Sequence, residues 1–224
     1  MSRANPPRFL TVEGGEGAGK TTLIKRLEEI LLFQGYEVLC TREPGGSALG
    51  NKIREWLLEE SKGIQIGAKA ELLMFLAARA QHIEEVIAPA LAEGKIVLCD
   101  RFNDSTIAYQ GAGRSLSLPF VSNLCMAVCG STVPDLTFYL DVDPEIGLKR
   151  TKGLAKEYAA AGEVDRIEAE KIEFHRQVRK AFAEIANAEP NRFITIDASQ
   201  PQEQVIEACK QVLLVRFEKK LRHV

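Results

Sequence analysis

Residues 9–22 read Phe-Leu-Thr-Val-Glu-Gly-Gly-Glu-Gly-Ala-Gly-Lys-Thr-Thr: an apolar run, then Gly, any four residues and Gly-Lys-Thr. This is the pattern of a phosphate-binding P-loop. Several backbone N–H groups must converge on one polyphosphate, so the loop wraps tightly and tolerates no intruding Cβ, a demand that Gly14, Gly17 and Gly19 meet. A helix starting near Lys20 aims its positive end at the phosphates. Lys20 then reaches the β and γ groups, and the Thr21 hydroxyl can ligate Mg²⁺. A Gly-rich turn before an ordinary helix would leave the apolar strand in front unexplained.

The rest of the chain alternates in the same way. Short apolar segments at 37–41, 95–99, 136–140 and 192–197 predict strands. Helical spacing covers 20–33, 49–58, 117–128 and a long stretch ending at 188. It also covers 68–91, broken only by Pro89, and a closing helix over 201–220 capped by Ser199. Asp143-Pro144 reads as an N-cap with proline at the first helical position. That helix is expected to dissolve near Thr151 into a basic stretch, 152–162, and 103–113 reads as a polar, glycine-bearing segment. Strands apolar throughout imply parallel pairing with both faces covered. We expect a single α/β domain over 1–224, a doubly wound parallel sheet of about five strands with helices on both faces, P-loop NTPase type. Ligands should collect at the carboxyl ends of its strands, where Glu13, Arg42, Asp100, Arg101 and Asp141 fall.

Composition excludes other classes. The 224 residues carry a net charge of −2, without the basic excess that a nucleic-acid polymer partner requires. No apolar run approaches a membrane span and residues 1–8 have no hydrophobic signal core, so the chain is expected to be cytoplasmic. Five scattered cysteines point to neither a disulfide framework nor a zinc site. Cys125 and Cys129 at i, i+4 read as a buried pair. His82, His175 and His223 stand isolated and receive no role.

A P-loop alone names no reaction. The base-reading Asn-Lys-x-Asp of a GTPase is absent, and where a motor ATPase carries a carboxylate pair this chain has Asp100-Arg101. An arginine there suits a second, acceptor phosphate, because two polyanions reach reacting distance only when cations bring them together. Arg42 and Arg101 are placed to do so. Lys149, Arg150, Lys152 and Lys156 suit a mobile lid at about 150–165 that closes over ATP.

Glu-Gly-x-x-Gly-Ala-Gly-Lys-Thr (13–21), Thr-Arg-Glu-Pro-Gly-Gly (41–46), Leu-Leu-Met-Phe-x-Ala-Ala-Arg (72–79), Asp-Arg (100–101), Ser-Thr-x-Ala-Tyr-Gln-Gly (105–111), Asp-Leu-Thr-Phe-Tyr-Leu-Asp-Val (135–142) and Asp-Arg-Ile-Glu (165–168) together resemble the bacterial thymidylate kinases. The likeness runs from about Phe9 to Pro201. It implies transfer of the ATP γ-phosphoryl group to dTMP with Mg²⁺, in a homodimer. Residues Gly14 to Thr22 (Gly14, Gly15, Glu16, Gly17, Ala18, Gly19, Lys20, Thr21, Thr22) would bind ATP, with Arg150 near the adenine. Phe75 would stack on thymine and Arg79 would bond its O4, while Arg42 and Arg101 hold the acceptor phosphate. Glu13, Ser105, Thr106 and Gln110 complete the dTMP site, and Tyr109 crowds the 2′ position. Glu16, Thr21 and Asp100 would attend Mg²⁺. Residue chemistry agrees: Phe75 and Arg79 share one helix face, and arginine offers only donors, suiting thymine O4 and opposing the amine of cytosine.

The lid departs from the family pattern. Ala18 gives the P-loop no cationic finger, and the lid holds Lys152 and Lys156 but no arginine. Lysine lacks the bidentate fork, so Arg150 and Arg166 at the lid's edges are the alternatives for the catalytic charge beside Lys20, Glu16, Arg101 and Lys152. The rival readings are another pyrimidine nucleoside monophosphate kinase and an ATP-binding regulatory protein.

Overall fold

The computed structural model describes residues 7–58, 65–157 and 166–217. Five strands, β1 (Phe9–Gly14), β2 (Val38–Arg42), β3 (Ile96–Asp100), β4 (Leu136–Asp141) and β5 (Phe193–Asp197), form one sheet in the order β2-β3-β1-β4-β5. All four pairings are parallel. The central three are buried almost throughout, while β2 and β5 are partly exposed edges. Strand order reverses on either side of β1, the switch point at which such sheets open a crevice.

Alternation along the strands builds two layers. Leu10, Val12, Leu98 and Phe138 face α1 (Lys20–Phe33) and α9 (Gln202–Phe217), which return Leu23, Leu27, Leu31, Cys209 and Leu213. Phe9, Val97, Cys99 and Tyr139 face the other way, toward Phe102, Ile87, Phe174 and Phe182. Each fully buried Leu or Phe contributes about 1.5–3 kcal/mol. On this second face Thr11 and Thr137 join hydroxyls at 2.8 Å, and Arg192 bonds Thr137 and the buried Asp104.

Helices α2 (Ala48–Leu58), α3 (Ala68–His82), α6 (Leu118–Cys129), α7 (Pro144–Glu157) and α8 (Ile172–Ala188) complete the layers. The expected helix over 68–91 is continuous but widens to a π turn at Ile83–Ile87 before α4 (Ala88–Ala92). Pro89 cannot donate to Glu85, and its ring crowds that carbonyl, so the turn ahead of it loosens.

Three expectations are corrected. The segment 103–113 is helical, as α5 (Asn103–Thr106) followed by a π-helical run Ile107–Gly113. Its glycines serve packing: a Cβ on Gly111 would meet Leu118 at 2.7 Å and one on Gly113 would meet Phe174 at 2.6 Å. Helix α7 continues past Thr151 to Glu157. Ser199 does not cap α9; its hydroxyl donates to Asp197 at 2.6 Å, and α9 starts after Pro201. Cys125 and Cys129 are buried, and all five cysteines are free thiols. No described helix is long and apolar enough to cross a membrane.

Candidate active site

The carboxyl ends of β1, β2 and β3 open into a cleft of about 1080 Å³. The P-loop lies at its centre. Gly19 takes a left-handed conformation (φ 92) and α1 begins without a side-chain cap or an acidic first turn, so its first N–H groups remain available to an anion. Glu16 to Thr22 line the cleft, whereas Gly14 and Gly15 lie behind it and accept from the Lys20 ammonium at 3.2 and 2.8 Å. Burial pushes the Lys20 pKa down, Arg101 adds to that, and Glu16 and Asp100 oppose it.

Arg101 occupies a left-handed backbone conformation (φ 65) at the end of β3, where a side chain costs roughly 1–3 kcal/mol. Its guanidinium donates to the Gly14 carbonyl at 2.8 Å, to Ser105 Oγ at 3.3 Å and to Glu16 Oε1 at 2.7 Å. Tyr109 donates to the same Glu16 oxygen at 2.9 Å, and its ring lies under Arg101. Burial alone would raise the Glu16 carboxyl, but Arg101 and Lys20 more than offset it and hold it at about 2.

Glu13 does not line the cleft. It points into the second layer, fully buried and outside the cleft, and accepts from the Phe102 N–H at 2.8 Å and the Ser105 hydroxyl at 2.5 Å. It holds Ser105, which Arg101 also contacts, and the Phe102 backbone.

At one end of the cleft α3 presents Phe75, partly buried, and Arg79, 1 % exposed. Arg79 is clamped: Nε donates to Glu43 at 2.7 Å and Nη1 to Thr106 at 3.0 Å. The other Glu43 oxygen accepts from His82 Nδ1 at 2.9 Å, and Thr41 Oγ1 meets His82 Nε2 at 2.7 Å. A Cβ on Gly46 would fall 2.2 Å from that ring, so the loop after Arg42 closes only with glycine there. Arg42, Ser105 and Gln110 also face this end. At the other end Arg150 donates to the carbonyls of Ala198 and Ser199, beside Gln200 and Pro201.

Asp100 lies beside the P-loop in the cleft wall, and its Oδ1 is buried without a hydrogen-bond partner among the described residues. Among those residues no three His, Cys, Asp or Glu side chains cluster as a metal cage.

Arg166, an alternative for the catalytic charge, does not line the cleft. Its guanidinium is committed to the Leu57 carbonyl and to Glu71, away from the cleft. The side chains of Lys152 and Lys156, and residues 158–165, which make up most of the expected lid, lie outside the described residues. The sequence reading gave no role to His82, Glu43 or Glu71. For Glu71 and His82 the signal was positional, since 71, 75, 79 and 82 recur at helical spacing on one face of α3.

The profile of the thymidylate kinase family matches residues 12–209. The chain is 54% identical to a thymidylate kinase of Protochlamydia amoebophila over 92% of its own length and 91% of that protein's. It is 50% identical to one from Magnetococcus marinus, covering 94% and 97%. Its fold is similar to the crystal structure of thymidylate kinase from Ehrlichia chaffeensis, with a TM-score of 0.71 at 35% identity, covering 92% and 97%.

Proposed function

The chain belongs to the thymidylate kinase family and phosphorylates dTMP to dTDP with ATP, and we propose that its cleft seats ATP along the P-loop and Arg150 and seats dTMP between Phe75 and Arg101. The observation that carries this reading is the Arg101 guanidinium, which is bonded to P-loop atoms on one side and to the pocket residue Ser105 on the other.

In this reading an oxygen of the dTMP phosphate attacks the γ-phosphorus, forming the new P–O bond as the bond to the β-phosphate oxygen breaks. The leaving charge stays on ADP, under Lys20 and the N–H groups of the loop. Arg101 and Arg42 neutralise the acceptor, which lowers the repulsion between the two anions. Thr21, Asp100 and Glu16 would hold Mg²⁺; the orphaned Asp100 Oδ1 and a hydroxyl are hard oxygen donors of the kind it takes, with phosphates and water filling the other positions. Mg²⁺, when bound, neutralises developing charge on the phosphate oxygens.

Phe75 stacks on thymine, Arg79 donates to O4, and Gln110 and Thr106 supply the other polar contacts. Tyr109, held under Arg101, crowds the 2′ position. The catalytic charge over the transferring group comes from Arg150 or Lys152, on a lid at about 150–165 of a single domain. Exposed Leu73 on α3 and Phe120 and Met126 on α6 lie on two helices that pack together, which supports a homodimer through that face. We place the protein in the cytoplasm.

A coupled ATP-consumption assay with Mg²⁺ and, in turn, dTMP, dUMP, dCMP, dGMP and UMP tests the pocket. Strong preference for dTMP is expected. Equal turnover of dCMP would remove Arg79 from the base, and sedimentation as a monomer at micromolar concentration would remove the dimer.

A further inference from the structure

Glu71 stands on α3 one turn before Phe75, with its side chain 1 % exposed and outside the cleft wall. Its Oε1 accepts from Gln110 Nε2 at 2.9 Å and from Arg114 Nε at 3.0 Å, and its Oε2 accepts from Arg166 Nη2 at 2.5 Å. Burial would raise the Glu71 carboxyl, but the hydrogen bonds from Arg114, Gln110 and Arg166 overcome that and hold it below its ordinary range.

An ionised carboxylate only accepts, whereas an amide has a donor end and an acceptor end. Glu71 therefore selects the nitrogen of Gln110, and the carbonyl Oε1 is what remains for the cleft that Gln110 lines. Turned over, the amide would set its carbonyl against the carboxylate, two buried acceptors with no proton between them. Arg79 is fixed from the other side by Glu43 and Thr106, and it offers the cleft only donors. The polar wall of the pocket is thus one acceptor beside one donor. Thymine presents the complement, the N3–H donor beside the O4 acceptor. Cytosine presents the opposite at both positions.

We infer that Glu71 is a specificity-determining positioning residue for the acceptor base: from outside the cleft it locks the Gln110 amide in the orientation that accepts thymine N3–H and rejects cytosine. Arg114 and Arg166 keep that lock charged. The inference rests on the reading of Phe75, Arg79 and Gln110 as the base pocket.

Steady-state kinetics with dTMP and 5-methyl-dCMP test it, because 5-methyl-dCMP keeps the methyl group and outline of thymine and inverts both edge groups. Glu71→Gln can either accept from or donate to the amide, which frees Gln110 to turn. The ratio of kcat/KM for dTMP over 5-methyl-dCMP should fall about tenfold, with the KM for ATP unchanged. Glu71→Asp keeps an acceptor-only group and should keep the wild-type ratio. Parallel losses on both nucleotides in Glu71→Gln would overturn the inference, leaving Glu71 a purely structural hub.

Gln110→Leu leaves Glu71 with both arginines and decides the matter should Glu71→Gln not fold. It should lower kcat/KM for dTMP about tenfold or more without lowering that for 5-methyl-dCMP. An unaffected dTMP efficiency would overturn the base-pocket reading together with the inference. A selective loss in Gln110→Leu beside an unchanged ratio in Glu71→Gln would overturn the inference alone.

Discussion

Arg101 and Glu16 meet at 2.7 Å, and the other terminal nitrogen of the same guanidinium holds the Gly14 carbonyl at 2.8 Å. One cation thus braces the P-loop at two points while lining the cleft, and in the proposed reading it also holds the acceptor phosphate. Arg101→Ala should reduce kcat by about 10³-fold or more, the range seen when a transfer-site arginine is lost, while ATP binding by calorimetry persists. Arg101→Lys should recover only part, because a point charge cannot serve Gly14 and Glu16 together. Turnover of Arg101→Ala within tenfold of wild type would remove Arg101 from the acceptor site.

Two nearby carboxylates, Glu13 on β1 and Glu16 in the P-loop, titrate in opposite directions. Burial, with repulsion from Asp104, pushes Glu13 up to about 7 from 4.5, whereas Glu16 is held at about 2. A raised carboxyl means that the folded state keeps a proton the unfolded chain releases. Glu13 therefore makes stability fall as pH rises from about 4.5 to about 7 and level off above that. Glu16 acts oppositely: its stabilisation is present above 4.5 and is lost as pH falls toward about 2. Urea midpoints at about pH 5 and about pH 7.5 should differ in wild type and differ less in Glu13→Gln. Identical slopes in the two proteins would mean that Glu13 is already ionised across that window.

His82 is linked to Arg79 through Glu43, which both contact. His82→Ala leaves Glu43 and Thr41 each short of a buried partner, at about 1–3 kcal/mol for each unsatisfied group. Urea unfolding should show that loss, and the KM for dTMP should rise while the KM for ATP holds, because Arg79 loses its backing. A destabilised variant with an unchanged KM for dTMP would uncouple His82 from Arg79.

What the sequence disclosed follows from locality. The P-loop, the strand alternation and the carboxyl-end placement of Arg42 and Arg101 are set by neighbours within a few residues, and all were legible. The resemblance named Phe75, Arg79, Ser105, Thr106, Tyr109 and Gln110, and all six line the cleft. Glu13 lies outside the cleft because residues 9, 11 and 13 share the face of β1 away from α1. The roles of Glu43, Glu71 and His82 depend on partners 36 to 95 residues distant. No spacing rule announces such pairs, although charged residues on the buried face of α3 mark the place. The helical character of 103–113 was hidden because its glycines and polar residues are demanded by packing and by the cleft.

Helix α7 carries two glycines whose replacement should act in opposite senses. Alanine in a helix ordinarily gains about 0.5–1 kcal/mol over glycine. At Gly153 nothing among the described residues lies within 4 Å of an added Cβ, so Gly153→Ala should gain that amount and raise the urea midpoint. At Gly147 the added Cβ would fall 2.1 Å from the Glu16 carbonyl oxygen, and Gly17 faces the same helix turn, since its own Cβ would meet the Gly147 carbonyl at 2.1 Å. The contact is backbone against backbone, so no side chain can swing aside, and α7 or the P-loop must shift. A misplacement of about 1 Å costs on the order of 10²-fold in rate. Gly147→Ala should therefore lower kcat by about that factor and weaken ATP binding, while circular dichroism reports an unchanged helix content. Should Gly147→Ala keep wild-type kcat, the helix yields without moving the loop, and α7 does not set the position of Glu16.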